Sequence, residues 1–222
     1  MLIIYYMKTY PICLIALENK RSVVVGGGRI ALRKTQGLIE AGASVTLISP
    51  EVEPELRKLA ESDSIVWLPR KYIEGDLGNA FLVIAATNDP DVNHEIWEEA
   101  AKEECLINVV DDPKHSNFIL PAVVKRGEIQ VSISTGGSSP ALARRLREDL
   151  EKIINPEYQQ LAEILSELRP ELIARTKPGN PRLQIALALV DLPLLEMIRL
   201  YGKQTALEYA RRKLHSSLIE EK

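Results

Sequence analysis

The stretch "VVVGGGRIALRKTQGLIEAGASVTLISP", Val23 to Pro50, constrains this chain more than any other part of it. A short apolar run feeds three glycines, Gly26, Gly27 and Gly28, and a helix-forming segment follows. Gly26, Gly28 and Ala31 match the pattern G-x-G-x-x-A. In that pattern the first glycine permits a tight turn and the second lets backbone approach a pyrophosphate. The small third residue lets the helix pack closely on the strand. Amides at the helix N-terminus, around Arg29 and Ile30, then face the phosphates. A plain strand-to-helix turn also uses glycines. The dinucleotide reading is favoured because this turn follows the first strand of a long alternating series.

That series runs through the first half of the chain. Strand signals at 22–25, 45–48, 65–68, 81–86 and 106–110 alternate with helical periodicity at 30–40, 53–62 and 91–104. Alternation of this kind implies an α/β fold, a Rossmann-like, doubly wound parallel sheet. From Phe118 the rhythm changes. "FILPAVVKRGEIQVSIS" reads as two strands joined by a tight turn at Arg126-Gly127. A helix follows, with Ser139 as N-cap and Pro140 at its first position. After Asn155-Pro156 the chain is helical, interrupted by "TKPGNPR" and by Leu192-Pro193. The expected organisation is a nucleotide-binding domain over 1–113, a small hairpin and helix region over 114–150, and a helical region over 151–222.

About twenty residues beyond the glycines, an Asp or Glu usually holds the adenosine ribose. Here the chain reads Ile48-Ser49-Pro50. Ser49 has a hydroxyl to offer the ribose, and Glu51 stands close behind. No arginine lies at positions 47–51 to receive a 2'-phosphate, which favours NAD over NADP. Ligands of such sheets sit beyond the carboxyl ends of the strands. Thr87 and Asn88, in "VIAATNDPDVN", are therefore candidates to line the crevice. An equal alternative is a hydrogen-bonded turn with Asp89 as helix cap.

The chemistry is expected in "INVVDDPKHSNFILPA". Asp111 follows a strand end, so it emerges at the same edge as the glycine turn. Successive strand residues point opposite ways, so Asp111 and Asp112 need not share one environment. A turn with no catalytic role would read the same from spacing alone. Further on, Thr135 and Gly136 belong to a polar, glycine-rich loop before a helix, a geometry suited to anions. Arg144, Arg145 and Arg147 follow it. Arginine suits carboxylate recognition, yet Arg145/Asp149 and Arg147/Glu151 also have the spacing of ordinary surface pairs.

A net charge of -3 gives no general reason to expect nucleic acid or an anionic membrane as partner. Cys13 and Cys105 share no metal-binding or redox spacing, which reads as two thiols in a reducing cytoplasm. The apolar start is too short to span a bilayer and lacks a basic leader. Met7 is an alternative start, because the regular pattern begins near Tyr10-Pro11.

Three pieces, in order, carry a family resemblance: "YPICLIALENKRSVVVGGGRIALRKTQGLIEAGASVTLISPE", "AATNDPDVN" and "INVVDDPKHSNFILPAVVKRGEIQVSISTGGSSPALARRLRE". The chain resembles the precorrin-2 dehydrogenases, NAD-dependent enzymes of sirohaem synthesis, and the amino-terminal half of fused sirohaem synthases. The resemblance covers about Tyr10 to Leu150 and is loose beyond. No methyltransferase domain follows, which implies the stand-alone form. It implies that Asp111 is the catalytic aspartate, that Gly26 to Ile30 hold the pyrophosphate, and that Pro50-Glu51 contact adenosine. Thr135 stands where fused members often have a second serine. An intertwined homodimer is implied, with 114–150 at the interface. Some relatives also insert ferrous iron using the same aspartate. By position, Lys114, His115, Asn117, Thr135, Gly136 and Arg144 are candidates to meet the polyanionic tetrapyrrole; no resident metal is expected.

Overall fold

The structure, a computed structural model, describes residues 8–220. Met7, the alternative start, lies outside the described residues. The chain divides into two compact units, one spanning Tyr10–Leu120 and the other running from Pro121 onward.

The first unit is a five-stranded parallel sheet in the order β3-β2-β1-β4-β5. Its strands are β1 (Arg21–Val25), β2 (Ser44–Ile48), β3 (Val66–Leu68), β4 (Leu82–Ala85) and β5 (Leu106–Val109). Helices α1 (Arg29–Glu40), α2 (Pro54–Glu61) and α3 (Pro90–Lys102) connect them. The central strands are apolar on both faces, as a sheet covered on both sides requires. Val24, Leu47 and Ile84 pack on one face with Ala31 and Leu38 of α1 and Leu56 of α2. Val23, Val25, Val83 and Val109 pack on the other with Ile96 and Ala100 of α3. The chain moves outward from β1 to β3, then returns to β4 beside β1. This reversal creates the switch point at which ligands of such sheets bind.

The outer edge of β5 is closed without a sixth strand. Ser116 Oγ accepts from the Val109 amide at 2.9 Å. The Asn117 amide group accepts from Ile107 N at 2.8 Å and donates to the Cys105 carbonyl at 2.9 Å. Asn108 Nδ2 donates to the Phe118 carbonyl. These groups satisfy an edge that would otherwise offer unpaired backbone. They also explain why 114–120, which the sequence groups with the following hairpin, stay with the sheet.

The second unit opens with an antiparallel hairpin, β6 (Ala122–Arg126) and β7 (Ile129–Ile133), then α4 (Pro140–Ile153). Ser139 caps α4 by accepting from Leu142 N, and Pro140 stands at its start, as the sequence implies. Helices α5 (Pro156–Arg175), α6 (Asn180–Val190) and α7 (Leu194–Glu220) follow, α7 being broken at Gly202. Ile164, Leu168 and Leu172 recur every four residues along α5 and bury against Leu207, Ala210 and Leu214 of α7. Four ion pairs flank this seam: Glu157–Arg199, Glu163–Lys203, Glu167–Arg211 and Glu171–His215. Both numbers of each pair rise together, so α5 and α7 run parallel and α6 carries the chain back. Exposed pairs of this kind add little to stability, so the apolar seam holds the helices. Among the described residues, no helix is long and apolar enough to cross a membrane.

One buried carboxylate organises the loop between β3 and β4. Glu99, 6% exposed, accepts from the Tyr72 hydroxyl, from Gly75 N at 2.9 Å and from Leu77 N at 2.7 Å. Burial and the Glu99 carboxylate together push the Tyr72 phenol far above its ordinary range. Glu99→Ala strands these donors in the core. It is expected to cost about 3 kcal/mol, read as a lowered urea midpoint with an unchanged slope.

Candidate functional site

The carboxyl edge of the sheet brings four loops together. Val25 is level with Ile48 on one side and Ala85 on the other, and Ala85 is level with Val109. Gly26, Ser49, Ala86 and Val110 therefore leave the sheet at one height. Asp111 follows two strand spacings from the glycine turn, roughly 10 Å.

The glycines divide the work in a way the motif alone does not reveal. Gly26 adopts φ 120, and a Cβ there would overlap the Ala86 carbonyl. A Cβ on Gly27 would overlap the Glu51 carbonyl oxygen and crowd Ser49 Oγ at 2.7 Å. Gly28 is different: it is the N-cap of α1, makes no side-chain cap, and a Cβ there meets nothing within 4 Å. Gly26 and Gly27 are thus demanded by the protein's own packing. Gly28 leaves an open approach to unshared amides at a helix start, where a pyrophosphate fits. Ala31 is fully buried, which is what close helix–strand contact requires. Arg29 and Ile30 stand exposed at the first turn of α1.

The adenosine side of the crevice is a tight turn. Ser49 Oγ donates to the Glu51 carbonyl at 2.6 Å, and Ser49 is 8% exposed. Its hydroxyl hydrogen is spent on the turn, whereas the sequence offered it to a ribose. Glu53 N donates to the Gly27 carbonyl at 2.8 Å, tying this turn to the glycines. Trp67 Nε1 donates to the Ser49 carbonyl at 2.9 Å, and Arg57 stacks over the same indole. Neither residue stood out in the sequence. Pro50 and Glu51 are exposed on the outside of the turn.

On the β4 loop, Thr87 Oγ1 is engaged with Asn93 Oδ1 at 2.8 Å and with the Asp89 carbonyl. Asp89 caps α3 by accepting from the amides of Asp91 and Val92. The hydroxyl of Thr87 is therefore part of the turn, and Asn88 is the exposed member of the pair.

The two adjacent aspartates have separate environments. Asp112 N donates to the Val109 carbonyl at 3.1 Å, closing a turn in which Asp111 takes φ 60. That left-handed position favours glycine or asparagine. Asp111 is exposed, and among the described residues its side chain has no hydrogen-bond partner. The half-buried Lys34 of α1, absent from the sequence-based candidates, feels its charge. Burial and then Arg33 pull the Lys34 ammonium below its ordinary value, and Asp111 opposes them. Asp112 is instead held by His115 Nδ1 at 2.6 Å and by Lys114 N at 3.1 Å. The His115 contact keeps its carboxyl below the usual range. His115 faces its neighbour aspartate, and Asn117 seals β5; both were expected at the substrate. Among the described residues no group of three or more His, Cys, Asp or Glu side chains is placed to hold a metal ion.

In the second unit, Thr135 Oγ1 bonds to both backbone groups of Ser139, and Gly136 takes φ 59. Arg144, Arg145 and Arg147 pair with Glu148, Asp149 and Glu151, each one turn on. The Arg144 side chain is 78% exposed, a surface pair within its own helix.

A glycine turn at the switch point of a parallel sheet, with an open helix start, gives this chain the features of a dinucleotide-binding protein of the Rossmann type. Comparison with known proteins narrows the class. A family model described as "Putative NAD(P)-binding" matches residues 13–122. One described as "Sirohaem biosynthesis protein central" matches residues 126–153. The precorrin-2 dehydrogenase of Bacillus subtilis (strain 168) is 43% identical over 144 residues, which cover 65% of this chain and 88% of that protein. Siroheme synthase 3 of Aeromonas hydrophila is 42% identical over 159 residues, covering 72% of this chain and 34% of that one. A solved structure, "SirC, precorrin-2 dehydrogenase", superposes with a TM-score of 0.77 at 29% identity, covering 92% of this chain and all of that one. The chain belongs to the precorrin-2 dehydrogenase family. It spans only about a third to two fifths of the length of the siroheme synthases it matches.

The glycines give a paired prediction. Gly28→Ala is expected to melt with the parent but to weaken NADH binding by at least about tenfold, or ~1.4 kcal/mol. Gly27→Ala is expected to lower the melting temperature, because its Cβ collides with protein. Thermal melts with and without NADH, and fluorescence titration of NADH, separate the two.

Proposed function

We propose that this protein dehydrogenates precorrin-2 to sirohydrochlorin, with NAD as the oxidant. The observation that carries the reading is the pairing, on one sheet edge, of an open pyrophosphate turn with an exposed carboxylate held at φ 60. Strained non-glycine backbone persists where function rewards it. Family membership supplies the substrate, as named for the Bacillus subtilis relative.

The reaction removes two hydrogens from a reduced tetrapyrrole. NAD, which the turn from Gly26 to Ile30 would hold, would supply the acceptor for one of them as hydride. The other leaves as a proton, and Asp111 accepts or directs it. Its exposure lets a bulky macrocycle approach, and Lys34 supplies a nearby positive charge toward the acidic substituents. The absence of arginine from positions 47–51 supports NAD over NADP. The free thiols of Cys13 and Cys105 suit a reducing cytoplasm. Burial pushes the Cys105 thiol up, which keeps it protonated and inert.

A homodimer built through 114–150 belongs to the same reading. Leu142 and Leu146 lie one turn apart on α4 and are 49% and 41% exposed, a face suited to a second copy. Leu146→Glu is expected to shift the protein to monomer in light scattering.

Asp111→Asn is the decisive variant. It is expected to lose NADH formation from precorrin-2 by at least about a hundredfold while melting no lower than the parent, since asparagine tolerates the left-handed conformation. Parental turnover would overturn the assignment. Adding ferrous iron after the oxidation, in the same cuvette, reads iron insertion as a separate signal.

A further inference from the structure

His115 has its neighbours on two elements. Its Nδ1 lies 2.6 Å from Asp112 Oδ2. Its ring meets Trp97 edge-on, with centroids 4.7 Å apart at 69°. His94, one turn before Trp97 on α3, stands 5.5 Å away and itself pairs with Glu98 at 3.6 Å. Trp97 is rooted in the sheet, packed against the buried cluster of Val83, Ile96 and Val109. Asp112 is fixed at three further points: its amide on the Val109 carbonyl, its carboxylate on Lys114 N, and its carbonyl on Ser116 Oγ at 2.8 Å. Asp111 shares a peptide with Asp112, so a shift of the Asp112 backbone carries the Asp111 carboxylate with it.

We propose that His115 is a positioning residue: wedged between Trp97 and Asp112, it holds the turn in the shape that presents Asp111 outward. The inference rests on Asp111 handling the proton, as proposed above. The wedge needs a proton on Nδ1, because a carboxylate only accepts. The imidazolium and one neutral tautomer meet that need; the other neutral tautomer releases Asp112. The groups facing the imidazole are Asp112 and the Lys114 backbone within its own turn, and His94 with Glu98 from α3. The position of Asp111 is thereby linked to which ring nitrogen of His115 carries its proton.

Misplacing a catalytic group by about an ångström costs on the order of a hundredfold. His115→Ala is accordingly expected to lower kcat for NADH formation by ten- to a hundredfold, leaving KM for NAD where it was. His115→Asn puts an amide nitrogen near the place of Nδ1 and recovers most of that loss.

Parental kcat in His115→Ala overturns the proposal. So does His115→Asn that rescues nothing while KM for precorrin-2 rises, which would make the ring a substrate contact. Should His115→Ala not fold, Asp112→Asn carries the same expected split between kcat and KM. Failure of the underlying reading looks different: Asp111→Asn would then keep its rate, whatever His115→Ala does.

Discussion

The crevice depends on a contact too close for a side chain. Gly27 lies against the Glu51 carbonyl, and Gly26 against the Ala86 carbonyl. The loop leading into α1 is thereby pressed at Gly26 and Gly27 between the loops that follow β2 and β4. Any β-carbon there would push those loops apart. With them would go the height at which the amides of α1, the Ser49 turn and the end of β4 face a ligand. Interiors pack too densely to absorb such a change without moving backbone. The glycines are usually credited to the pyrophosphate. Here two of them answer to the protein, and Gly28 is the one with open space beside it.

Most of this architecture was legible because it obeys simple periodicities. Apolar runs bounded by turn residues marked each strand, and the α4 cap at Ser139-Pro140 followed from side-chain chemistry. The predicted pairs Arg145/Asp149 and Arg147/Glu151 appear as read, because helical neighbours at that spacing are fixed by geometry. What stayed hidden depends on contacts distant in sequence. Lys34 comes under the influence of Asp111 from helix α1, and Trp67 supports Ser49 from the neighbouring strand. Asn117 gave no local sign that its amide would stand in for a missing strand. Strand alternation suggested that Asp111 and Asp112 would differ, but both lie past the end of β5 in a turn, and the φ 60 of Asp111 and the His115 contact of Asp112 set them apart.

The two aspartates illustrate how one loop separates structure from reactivity. Asp112 satisfies its acceptors inside the turn and is stabilised in its charged form. Asp111, one peptide away, is left with open lone pairs and a backbone conformation it would not choose alone. With Asp111 in the role proposed for it, stability and activity favour different residues at position 111, and a more comfortable side chain there is expected to be an inert one.

The seal on β5 has a consequence for motion. Residues 110–115 leave that strand at Val109 and are pinned back to it at once through Ser116 and Asn117. A tether closed on its own strand has no slack. It is ill suited to swing over a bound molecule as a flap, so on the proposed reading a large ring comes to the carboxylate and docks against a nearly fixed post.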